Sequence, residues 1–99
     1  MTQSEIVHGE LIDELALSFE ELCSACGAEP RWIVTYVEAQ LLAPQPEQRV
    51  RWRFGSADLT RARRMAAAQR MFDVDADAAA FMADLIEEVT RLRHLSARR

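Results

Sequence analysis

A chain of 99 residues, 49% of them hydrophobic and with a net charge of −4, makes one domain with a modest core that dimerisation would reinforce. No apolar run approaches the roughly 18 residues of a membrane span, and the N-terminus MTQSEIVHGEL is acidic with no signal-peptide core, so a cytoplasmic protein is expected. Charge comes in blocks, −8 over residues 1–47, +6 over 48–72, −6 over 73–90 and +4 over 91–99, with every cation an arginine, so the overall value hides a polarised surface.

Residues 1–10 carry no clear periodicity and read as loose, and Leu11 to Leu17 as a turn or short strand. Phe19, Leu22 and Cys23 then stand at i, i+3 and i+4, the apolar face of a short helix, and Cys26-Gly27 follows where a tight turn tolerates positive φ. Trp32, Ile33, Tyr36 and Val37 repeat the spacing on a second helix whose first turn contains Pro30, where a missing N–H does no harm. Leu41, Leu42 and Pro44 close the unit. Two helices joined by about three residues form a helix-turn-helix.

The charge of that unit is wrong for DNA. Nine carboxylates face one cation, Arg31, over residues 1–47, and a second helix lying in a major groove would set Glu29 and Glu38 beside phosphates.

After Pro44, Val50, Trp52 and Phe54 alternate with Arg49, Arg51 and Arg53, the period-two pattern of a half-buried strand, which in this place reads as a small β wing. Gly55 ends it. Ser56 is expected to cap a third helix with Asp58 in its first turn, and Leu59, Ala62, Met65, Ala66, Gln69 and Phe72 trace one face over about 17 residues. Asp73-Val74-Asp75 breaks that helix, and Asp75 or Asp77 caps a fourth over 75–95. Its Met82, Leu85, Ile86, Val89 and Leu92 repeat at three and four, as in a coiled-coil seam. The expected fold is mainly α: a winged helix-turn-helix followed by a C-terminal helix, in one domain over 1–99.

That order, with ELCSACG, WIVTYVEAQLLAP, RWRF and SADL, resembles a MerR-type winged helix-turn-helix. The short length, the acidic first half, the W-x-F wing ahead of a helix beginning near Asp58, and the closing LIEEVTRLRHL resemble more specifically the CbpM family of chaperone modulators, over roughly residues 15–95. The resemblance implies a non-enzymatic, dimeric protein that binds the J-domain of a DnaJ-like co-chaperone of the CbpA type and blocks its encounter with the DnaK-type ATPase. J-domains present a basic helix to that ATPase, which an acidic competitor would cover. DNA-binding MerR proteins usually carry Arg-Tyr-Tyr in the second helix, where this chain has Thr35-Tyr36-Val37, and an effector-binding segment beyond the dimerisation helix, which is not expected here.

Several residues are candidates for function, each with a plainer role beside it. Glu29, Arg31, Glu38, Asp73, Asp75, Asp77 and Asp84 make a partner-binding set, although exposed acids commonly do no more than solvate a surface. Arg31, Arg49, Arg51 and Arg53 are the set for a small DNA-binding regulator, or else the wet face of a strand. Met82, Leu85, Ile86, Val89 and Leu92 are a homodimer seam, or pack on the chain's own first helices. Cys23 and Cys26 form a C-x-x-C, but they lie within and at the end of a helix rather than at a helix start, and the histidines, His8 and His94, stand at opposite ends of the sequence. They read as small core residues. No Gly-rich phosphate loop and no nucleophile with a base is seen, so neither an enzyme nor a metal or cofactor is expected.

Overall fold

A computed structural model of the chain describes residues 6–7, 10–11, 15–46 and 49–97. Four helices carry the fold: α1 (Phe19–Cys26), α2 (Pro30–Glu38), α3 (Ser56–Phe72) and α4 (Ala76–Ala97). Ahead of them β1 (Ile6–Val7) and β2 (Glu10–Leu11) pair antiparallel, Ile6 opposite Leu11. These pairings fall in the stretch expected to be loose, whose other positions lie outside the described residues.

Local chemistry sets the helix-turn-helix. The Ser18 hydroxyl accepts the Glu21 N–H at 3.1 Å and the Glu21 carboxylate accepts the Ser18 N–H at 2.8 Å, a reciprocal cap worth about 1 kcal/mol. At the other end of α1, Gly27 takes φ 61°, its N–H donating to Ser24 O and the Ala28 N–H to Cys23 O. This left-handed closure costs glycine nothing. Pro30 opens α2, as expected, and α2 ends by the same device, with the Gln40 N–H on Val37 O and the Leu41 N–H on Tyr36 O. Here Gln40 must adopt φ 63° with a side chain attached.

The expected β wing does not form among the described residues. Arg49–Arg51 wind into a 3-10 turn, and the bridges of this stretch are isolated ones, Gln45 with Arg53 and Leu17 with Phe54. Val50 is 88% exposed instead of buried, while Trp52 and Phe54 are in the core. Without a strand partner longer than one bridge, the alternation anchors only its two aromatics, which meet edge to face, with Phe19 against Trp52.

Two further corrections concern α3. Gly55, not Ser56, is its N-cap, and the Asp58 carboxylate accepts the Gly55 N–H at 3.2 Å. Phe72, expected on the buried face, is 58% exposed, because Asp73 turns left-handed directly after it and carries the chain away to α4. The Asp75 carboxylate accepts the Ala78 N–H at 2.9 Å and so caps α4. α3 and α4 pack through small residues, Ala62 and Ala66 on one, Ala79, Ala80 and Ala83 on the other. Leu22, Ile33, Tyr36, Phe54 and Met65 are the largest fully buried side chains and join α1, α2 and α3 into one core. Among the described residues no helix is long and apolar enough to cross a membrane.

Candidate interaction surface

The outer face of α2 is where a helix-turn-helix meets its partner, and its charge is settled locally. Arg31 donates through Nε to Glu29 Oε1 at 2.7 Å, both side chains exposed, so the single cation of this face is paired by the carboxylate just before the helix. The Thr35 hydroxyl donates back to Arg31 O at 2.9 Å. Glu38, exposed in the last turn, has no cation paired with it among the described residues, and that turn carries no basic residue.

The arginines of α3 are engaged by the fold, Arg61 and Arg64 half-buried and Arg63 and Arg70 exposed. Arg61 donates through Nε to Leu41 O at 2.9 Å and through Nη1 to Asp84 at 2.7 Å, with Glu87 at 3.6 Å; Arg64 lies 4.0 Å from Glu87. Arg63 Nε donates to Ala25 O at 3.3 Å, and Arg70 Nη1 to Gly27 O at 2.9 Å and Cys26 O at 3.4 Å. Two of these arginines thus tie α3 to α4, and two cap the carbonyl end of α1, where a cation also meets the negative end of the helix dipole. The sequence treats residues 48–72 as one basic block, whereas in the structure the α3 arginines are engaged by the fold, Arg63 and Arg70 while still exposed, and Arg51 and Arg53 are exposed beside the helix-turn-helix, Arg53 itself donating to Trp52 O at 2.8 Å. Arg49 opens the 3-10 turn.

The acidic candidates divide into two groups. Glu29 and Glu38 sit at the two ends of α2. Asp73, Asp75 and Asp77 cluster at the α3–α4 turn, where Asp73 supplies the left-handed residue, Asp75 the cap and Asp77 a first-turn carboxylate. Asp84 is held by Arg61. A structural duty therefore accounts for each acid of the second group, and Glu38 alone of the whole set has none assigned among the described contacts.

The seam candidates also separate. Met82 packs against the core, while every residue from Asp84 to Ala97 is exposed, including Leu85, Ile86, Val89, Leu92 and Leu95. The second half of α4 thus presents an apolar stripe that its own chain does not cover. Its outer surface adds the ion pair of Arg91 with Glu88 at 2.5 Å, which holds the Glu88 carboxyl below its ordinary range and raises the Arg91 guanidinium.

Cys23 and Cys26 are buried and neither is in a disulfide. Burial pushes the Cys26 thiol up, against the opposing pull of Arg63, which keeps it in the protonated, poorly nucleophilic form. Tyr36 donates its hydroxyl to Gln69 Oε1, and burial pushes it up to about 12. Among the described residues no group of three or more His, Cys, Asp or Glu is placed to hold a metal ion.

Sequence reasoning missed one feature of this surface. A groove of about 520 Å³ opens at the end of α2, between its last turn and the segment Leu42–Gln45, with Trp52 behind it. Its lining comes from one short stretch, Val37–Gln45, and from Trp52 seven residues on; these carry no recognisable motif, so the groove is disclosed only by their packing.

Residues 17–97 match the family of MerR helix-turn-helix regulatory proteins. The chain belongs to that family. The match begins two residues before α1 and ends on the last residue of α4, so the MerR domain includes the long C-terminal helix as well as the helix-turn-helix. No match is found among curated proteins.

Proposed function

We propose that this MerR-family chain is a non-enzymatic, cytoplasmic protein-binding module that inhibits a DnaJ-like co-chaperone by covering its J-domain, in the manner of the CbpM modulators it resembles. The observation that carries the reading is the outer face of α2, where Arg31 is paired with Glu29 and Glu38 has no described ion pair, while the α3 arginines are engaged by carbonyls and carboxylates of their own chain. A helix so charged is repelled by a phosphate backbone and attracted to a basic protein surface. The exposed stripe Leu85, Ile86, Val89 and Leu92 supports a homodimeric working form, because the fourteen-residue stretch Asp84–Ala97 is marginal as a helix by itself in water and gains from a partner helix.

The functional test is the J-domain-stimulated ATPase of a DnaK-type chaperone. Adding the protein is expected to suppress stimulation by the matched co-chaperone and to leave the unstimulated rate unchanged; unaltered stimulation at a tenfold molar excess refutes the reading. Family membership and the exposed Arg51 and Arg53 favour a second reading, a small DNA-binding regulator. Filter binding to duplex DNA that weakens steeply between 50 and 200 mM salt, and is lost in Arg51→Ala with Arg53→Ala, would select it.

A further inference from the structure

We propose that the groove at the C-terminal end of α2 is the seat for an arginine side chain of the partner protein; this rests on the reading of the chain as a binder of a basic protein. The groove has an apolar floor, the buried Leu42, Pro44 and Trp52 with the half-buried Val37, and an exposed rim that includes Glu38 and Gln40. Eight residues line it, and Glu38 is the one that carries charge.

Two features of α2 direct a cation to this place. The helix ends here, so its carbonyl-end dipole is negative, and its last turn has no basic residue to compensate it. Glu38 adds a full negative charge on the same rim, without a described ion pair. The rest of the groove is suited to the stem of an arginine, three methylenes lying along Val37 and Leu42, with the planar head turned out to the carboxylate. Trp52 adds an apolar surface to the floor on which that stem would lie.

Gln40 is an independent sign. It occupies a left-handed φ of 63° at a helix-closing position where glycine is free of the cost, and its side chain stands on the rim of this groove. An amide held there can accept from a guanidinium that already contacts Glu38.

The test has two arms on the full chain. In the first, 15N-labelled protein is titrated with blocked arginine (Nα-acetyl-arginine amide) to tens of millimolar. Expected are amide shifts confined to Val37–Gln45 with the Trp52 indole, absent in Glu38→Gln; shifts that are absent, or spread over other acidic positions, overturn the proposal. In the second, binding of a J-domain is compared for wild type, Glu38→Arg and a control reversal at the remote, exposed Glu20. About tenfold weakening by Glu38→Arg against less than twofold by Glu20→Arg is expected. Equal binding by Glu38→Arg and wild type overturns the groove and leaves the J-domain reading intact. Absence of binding by wild type together with confined arginine shifts refutes the J-domain reading and keeps the groove, whose partner is then another basic protein.

Discussion

Gln40 and Gly27 occupy equivalent places at the ends of α2 and α1, with the same pair of closing hydrogen bonds and nearly the same φ, 63° and 61°. Only one of them is glycine. Replacing Gln40→Gly is therefore expected to stabilise the fold by about 1 kcal/mol, read as a raised urea midpoint at unchanged slope, and on the groove proposal to weaken partner binding at the same time. Tyr36 gives a pH prediction. Its hydroxyl is pushed up to about 12 from an ordinary 10, so between these values the folded chain keeps a proton that the unfolded chain has lost. This contribution of Tyr36 is full below pH 10 and falls as pH rises towards 12. The chain has no lysine and no second tyrosine, so Tyr36→Phe should flatten most of the decline in this window, while Cys26, whose thiol burial also pushes up, contributes a loss of the same sign that begins at lower pH. Residue roles of this kind were partly legible in the sequence. Gly27 and Pro30 declared themselves by type, whereas Gln40 did not, because nothing in a glutamine announces a left-handed backbone.

At the scale of elements the helices were the legible part. Spacing placed α1, α2 and α3 closely, and the aspartates after Phe72 marked the break before α4. The wing was not legible, because alternation of Val50, Trp52 and Phe54 records only which side chains want burial and says nothing of a pairing strand. The arginines of α3 were misleading for a related reason. A linear block of positive charge looks like a surface, yet Arg61 and Arg64 meet carboxylates some twenty residues on, and Arg63 and Arg70 reach back to the carbonyls of α1. For α4, replacing Leu85, Val89 and Leu92 by serine removes exposed apolar side chains that lie outside the buried core. On the proposed reading, light scattering is expected to give a dimer for the wild type and a monomer for this variant, with the helix-turn-helix core retained in near-UV circular dichroism.

Across the whole molecule, charge is distributed unevenly, in alternating acidic and basic blocks. The helix-turn-helix and the long last helix of the family domain are both present, while the helix that would meet a nucleic acid is acidic and the arginines of α3 are held in helix contacts, with Arg51 and Arg53 left exposed. On the proposed reading this converts a nucleic-acid fold into a trap for a basic protein helix, with two copies joined along α4. The mainly helical fold and the MerR-type family were readable from one sequence, the β wing excepted. The division of the acidic set was not, since Asp75 and Asp84 differ from Glu38 only in what they touch. The most direct measurement is a calorimetric titration of the full chain with the J-domain of a DnaJ-like co-chaperone at 50 mM and 300 mM salt. The account predicts a complex of low micromolar affinity or tighter at 50 mM that weakens at the higher salt, with one J-domain per chain. No heat of binding at 50 mM salt, with duplex DNA bound instead under the same conditions, would contradict it.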